Sequence, residues 1–156
     1  MNLLNAKTLA TQLFCKHNLK GWQFKFDRSR RRFGCCNLTL KAISLSRILT
    51  ELNSPSLVRD TLLHEIAHAL TGRRGVAHGR EWQDIARSLG CRAKRCYKEG
   101  EVKTPPAKYA ARCVSCGRSF PAFRRRQRVA CGLCCKEKNG GRYSHEFRVV
   151  FEPLGL

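Results

Sequence analysis

The segment HEIAHALTGRRGVAH, residues 64–78, carries three of the chain's five histidines. His64 and His68 are four residues apart, so on a helix they stand one turn above the other and point the same way. Two neutral imidazoles so placed can ligate one zinc ion, and Glu65 beside them can act as general base on a water at that metal. The plain alternative is a surface helix with His-Glu-His at chance spacing. Against it stand Ile66 and Ala67, the apolar residues that a zinc helix buried in a core requires.

A catalytic zinc takes three protein ligands and keeps a fourth position open. Arg74 stands six residues after His68, where the short HExxHxxGxxH arrangement needs its third histidine, so that arrangement is excluded. His78 is the natural third ligand, since RRGVA (73–77) can loop the chain back, with Glu81 on the following helix as runner-up. His17 and His145 lie outside this stretch and read as ordinary surface or core histidines. A developing oxyanion needs a donor besides the metal; Arg73, Arg74 and Arg80 are the candidates at hand.

A second constellation is CVSC (113–116) and CGLC (131–134), two Cys-x-x-Cys knuckles with fourteen residues between them. Four thiolates at this spacing match a tetrahedral structural zinc, and Gly117 and Gly132 suit tight knuckle turns. A redox pair or four core cysteines would explain the doubled spacing poorly. Cys135 adjoins Cys134 and competes with it, although the Cys-x-x-Cys geometry favours Cys134. Cys35 with Cys36, and Cys91 with Cys96, lack the spacing and read as packing thiols. The amino terminus shows no export signal, so the ten cysteines point to reduced thiols in a cytoplasmic setting.

Charge speaks to partners. Thirty-one Lys and Arg against 11 Asp and Glu give +20 and a pI near 10.3, which favours a polyanion, nucleic acid before anionic membrane. No stretch approaches the ~18 apolar residues of a membrane span. Residues 107–156 hold 11 Lys and Arg against 3 acids, a net +8, leaving +12 on the remainder. Arg124, Arg125, Arg126 and Arg128 lie beside Phe120 and Phe123, a composition suited to phosphate contact and base stacking on single strands. The arginines read as nucleic-acid contacts and the two phenylalanines as ribbon core. RSRRR (28–32), with Arg30, Arg31 and Arg32, is a second contact on the same polyanion.

These groups need elements to hold them. Residues 3–17 read as an amphipathic helix. WQFKFD (22–27) alternates Trp22, Phe24 and Phe26 as a half-buried strand, and RSRRRFG (28–34) is a charged loop. CNLTLKAISLS (36–46) alternates through Leu38, Leu40, Ile43 and Leu45 with a slip near Ala42, so a small antiparallel sheet is expected. The helix over 54–72 is the best punctuated: Ser54 can cap, Pro55 suits the first position and Gly72 the exit. Its apolar face is expected from Leu57, Val58, Leu62, Ile66, Ala69 and Leu70. A further helix fits 79–89, closed by Gly90. EGEVKTPPAK (99–108) reads as a linker, placing one domain at 1–104 and a zinc ribbon at 105–156. The ribbon is too small to bury a core unaided, so its metal would supply much of its folding energy.

LVRDTLLHEIAHALTGRRGVAHGREWQDIARSLGC resembles the SprT-like zinc metalloproteases, in which the HExxH helix is followed by a histidine in a His-Gly-x-x-Trp context, here His78, Gly79 and Trp82. FGCCNLTLKAISLSRILTELN is similar to the strand and I-x-L-S segment that precede the family's zinc helix. The resemblance covers roughly residues 20–97, and many members append a cysteine module. It implies an α+β fold: a zincin-type core of small antiparallel sheet and HExxH helix, followed by a small β zinc ribbon. It also implies His64, His68 and His78 as ligands of a catalytic zinc and Glu65 as the base, beside the structural zinc that the spacing assigns to Cys113, Cys116, Cys131 and Cys134, two zinc ions per chain. The family includes Spartan-type enzymes that degrade proteins crosslinked to DNA. The expected activity is therefore peptide-bond hydrolysis in DNA-bound or DNA-crosslinked proteins, by a monomer acting at single-stranded or distorted DNA. The competing reading is a non-catalytic nucleic-acid-binding protein with two structural zinc sites.

Overall fold

Residues 1–72, 78–93 and 100–155 are described by the computed structural model. Arg73, Arg74, the rest of the RRGVA loop and Cys96 lie outside them. The chain divides into two units, Met1–Pro105 and Pro106–Leu156.

In the first unit, Asn2 caps helix α1 (Leu3–Lys16), its Oδ1 accepting the Leu4 N–H at 2.7 Å. Ala6, Ala10, Leu13 and Phe14 recur at helical spacing and are buried. Strand β1 (Gln23–Asp27) turns Phe24 and Phe26 toward the core, their rings edge-to-face at 5.0 Å.

The next segment departs from the expected single strand. It is a hairpin of β2 (Gly34–Asn37) and β3 (Ala42–Ser46). Asn37 Oδ1 accepts the Leu40 N–H at 2.9 Å, and Lys41 adopts φ 45° to complete the turn. The slip near Ala42 is the trace of that turn, and Leu40 is exposed within it. The sheet is correspondingly mixed rather than wholly antiparallel, in the order β1-β3-β2, with β1 and β3 parallel. Two successive chain reversals with the third strand inserted between the first two leave β1 and β3 pointing the same way. Side chains enforce the insertion: Ser44 Oγ donates to Asp27 Oδ2 at 2.8 Å and Ser46 Oγ to the Ser29 carbonyl at 2.6 Å. As the central strand, β3 is buried at every residue, so only its polar members reveal its neighbours.

Ser46 then caps α2 (Arg47–Leu52), a short helix that the strand pattern concealed. Helix α3 (Pro55–Thr71) follows with Ser54 as cap, Pro55 in its first turn and Gly72 at φ +62° beyond its end. Val58, Leu62, Leu63, Ile66 and Ala67 are fully buried, whereas Leu70, expected on that face, is exposed. The helix lies against α1, β2, β3 and α4 (Arg80–Ser88), which buries Trp82 and Ala86.

The second unit is a three-stranded antiparallel sheet ordered β5-β4-β6, from β4 (Tyr109–Cys113), β5 (Ser119–Ala122) and β6 (Val149–Pro153). An unforeseen helix α5 (Gly132–Lys138) begins inside the second Cys-x-x-Cys, so Gly132 opens a helix while Gly117, at φ +70°, makes the expected turn. Among the described residues no helix is long and apolar enough to cross a membrane.

Candidate functional site

Helix α3 presents His64 and His68 one turn apart, and His78 enters from the residues just before α4. A ligand atom from each lies within 4.8 Å of the other two. His78 Nε2 is 3.0 Å from His68 Nε2 and 3.1 Å from His64 Nε2. One ring nitrogen carries a single proton or a single lone pair, so His78 cannot satisfy both neighbours as a hydrogen-bond partner. A shared cation satisfies all three. Ligation at ~2.0–2.1 Å in a tetrahedron puts nitrogens about 3.3 Å apart, close to what is seen. The residues present therefore fit a three-histidine zinc site.

Trp82, fully buried on α4, is what assembles the trio. Its ring centroid lies 4.7 Å from that of His64, 5.2 Å from His68 and 4.5 Å from His78. Three imidazoles from two segments thus share one indole wall, which limits their rotamers. Glu81, the runner-up ligand, is exposed next to it and stands outside the histidine cluster. His17 ends α1 and His145 opens a 3₁₀ turn in the other unit; neither joins a ligand group among the described residues. We expect His78→Ala to weaken metal binding at this site by more than the ~10–100-fold typical of losing a supporting partner. Glu81→Ala should leave it unchanged, as metal titration monitored by calorimetry will read.

Glu65, next to His64 on α3, lies in the seam between α3 and β2 and is only 7% exposed. Burial pushes its carboxyl up to about 7, while Arg32 and the backbone N–H of Cys36 pull the other way. A carboxyl poised there can both take and return a proton near neutral pH. The same burial, with the nearby Glu65 charge, pushes the Cys36 thiol up to about 12, which keeps it an inert neutral neighbour.

In the second unit Cys113, Cys116, Cys131 and Cys134 converge, with Cys113 and Cys134 sulfurs 4.0 Å apart and Cys116 and Cys131 sulfurs 3.9 Å apart. Tetrahedral ligation at ~2.3 Å places sulfurs about 3.8 Å apart, so the set fits a closed zinc site. Backbone N–H groups of Cys116 and Ser115 bring the Cys113 thiol down to about 7, and those of Cys134 and Leu133 lower Cys131. The first cysteine of each knuckle so favours the thiolate a metal needs, whereas burial pushes the Cys134 thiol up to about 12. Cys134, not Cys135, completes the cluster; Cys135 is buried beside it.

The arginines expected to meet nucleic acid are placed unequally. Arg124, Arg125, Arg126 and Arg128 are exposed, with the Arg125 guanidinium 5.2 Å from the Tyr109 ring centroid. Phe120, expected as ribbon core, is 42% exposed on the edge strand β5, whereas Phe123 is half-buried. Arg31 is exposed and Arg30 half-buried. Arg32 is tied to Asp27, Nη2 to Oδ2 at 3.1 Å, and acts on Glu65, so it belongs to the histidine site's surroundings.

Sequence reasoning gave no role to Gly34, Trp82 beyond its place in a motif, Tyr109 or the Arg32–Asp27 pair. Trp82 was within reach, four residues after His78 on the next helix. The others depend on strand pairing that no local pattern announces.

Fold and site together define an α+β protein with a histidine metal site on a glutamate-bearing helix and an appended four-cysteine unit. The SprT-like family model matches residues 4–104, and the chain belongs to the SprT-like family. It is 28% identical over 118 residues to Protein SprT of Pseudomonas fluorescens strain SBW25, covering 72% of each chain. With Protein SprT of a second Pseudomonas fluorescens strain it shares 30% identity over 128 residues, covering 76% of this chain and 78% of that one. Among solved structures, the metallopeptidase zymogen jannalysin of Methanocaldococcus jannaschii matches with a TM-score of 0.47 and 14% identity, over 62% of this chain and 85% of that one.

Proposed function

We propose that this chain is a zinc-dependent endopeptidase that hydrolyses peptide bonds of proteins bound or crosslinked to DNA. The observation that carries the reading is the buried Glu65 on the same helix as two members of a three-imidazole cluster. Three protein ligands suit a metal that works, since a purely structural zinc is closed by a fourth.

His64, His68 and His78 would hold the zinc, which would supply Lewis acidity toward a water and a carbonyl near neutral pH. Glu65 takes the proton of the attacking water at its carboxylate and hands it to the departing amine. Trp82 excludes water from beneath the imidazoles and holds them for ligation. The exposed arginines of the second unit recruit rather than catalyse: they fix the enzyme on DNA, where its protein substrates are, and the exposed Phe120 offers a face for an unpaired base.

Binding to single-stranded DNA is expected to be independent of sequence and steeply salt-dependent. About five phosphate contacts give a log–log salt slope near −3.5. Replacing Arg124, Arg125, Arg126 and Arg128 together should flatten that slope and reduce cleavage of DNA-bound protein more than cleavage of a small peptide. Salt-insensitive binding, or full cleavage of DNA-bound protein by the quadruple variant, would contradict recruitment.

A further inference from the structure

Glycine at position 34 is not there for its backbone, which is ordinary strand without a positive φ. It is there for space. A Cβ built on Gly34 would fall 2.6 Å from Glu65 Oε1, 2.8 Å from Glu65 Cγ and 2.9 Å from Thr61 Cγ2, all closer than real methyl contacts. Edge strand β2 therefore lies directly on the Glu65 side chain, and two residues further on the Cys36 backbone N–H acts on the same carboxylate.

Which partner would yield to a methyl group is decided by what holds each. The strand cannot back away: β2 is paired along its length with β3, and the Phe33 carbonyl next to it accepts the Ser46 N–H at 2.7 Å. Thr61 is held by its hydroxyl, which donates to the Leu57 carbonyl at 2.9 Å, so its methyl is fixed against the strand. Glu65 is left. Its carboxylate is the far end of a flexible side chain, and swinging it aside is the least costly relief.

We propose that Gly34 is a positioning residue, whose bare Cα seats the Glu65 carboxylate between β2 and α3 and thereby sets where the catalytic base stands. This rests on the reading of Glu65 as base. The consequence is unusual for a buried glycine in a strand: a side chain there harms turnover far more than folding, because the displaced group is the one that moves protons.

The test compares Gly34→Ala with wild type on a disordered basic protein, and measures thermal midpoints in two backgrounds. Gly34→Ala should keep its zinc and its KM while kcat falls about 100-fold, the loss expected from a misplacement of about 1 Å. Its drop in thermal midpoint should shrink when Glu65 is already alanine, because two of the three conflicting atoms are then absent. Near-normal kcat, or equal midpoint drops in both backgrounds, would overturn the proposal. If Gly34→Ala does not fold alone, folding in the Glu65→Ala background shows the same conflict, and failure in both backgrounds overturns it. Unimpaired turnover of Glu65→Gln would instead remove the reading of Glu65 as base, while the midpoint comparison still reports whether Gly34 and Glu65 conflict.

Discussion

Glu65→Gln should bind zinc as tightly as wild type and lose about 10³-fold in peptide hydrolysis. The side chain keeps its shape and its place against Gly34, but an amide cannot take a proton from water. Because burial of the charged form is what raises the Glu65 carboxyl to about 7, the neutral amide removes a desolvation cost, and the variant should be no less stable than wild type. Zinc content by elemental analysis, thermal midpoint and turnover together make the check. Loss of zinc from the variant would mean that Glu65 is a ligand or a structural support.

That such a variant can be named owes much to local signals. His64, Glu65 and His68 sit on a helix whose capping serine, first-turn proline and terminal glycine all stand in the sequence, and the structure uses each. The doubled Cys-x-x-Cys was equally legible, because ligand spacing is a local property of two knuckles. What was not legible is long-range. The parallel pairing of β1 with β3 follows from the order of insertion, and the Ile43-Ser44-Leu45-Ser46 alternation reads as a half-buried strand although β3 is buried at every residue. Helix α2 was hidden because Ser46 ends a strand and caps a helix at once. The composition of the arginine segment suggests Phe120 as core, but it lies on the edge strand β5 and is exposed. Gly34 has no local signature, since its reason lies in a side chain 31 residues further along the chain.

Cys113→Ser should abolish folding of the Pro106–Leu156 unit and leave the Met1–Pro105 unit intact. The buried residues of the second unit are Ala111, Cys113, Cys131, Cys134, Cys135, Phe147 and Val149, a small interior of which three members are ligand cysteines. Without the metal there is little apolar surface to hold three short strands together. Zinc stoichiometry should fall from two to one, the remaining ion being that of the histidines. Amide resonances of residues 107–155 should collapse to the unfolded range while those of the first unit stay dispersed. A folded second unit in this variant would show that its packing, not its metal, holds it together.

Peptide-bond cleavage by the histidine cluster and Glu65 is read in a direct cleavage assay. A disordered basic protein is incubated with the zinc-loaded chain, with the chelator-stripped chain and with the stripped chain after zinc return, each with and without single-stranded DNA. Cleavage by the loaded chain, loss on stripping, recovery with zinc, and faster cleavage when DNA is present are expected. A substrate left intact in every arm by protein that carries two zinc ions and binds DNA would contradict it, and would leave a nucleic-acid-binding protein with two structural metal sites.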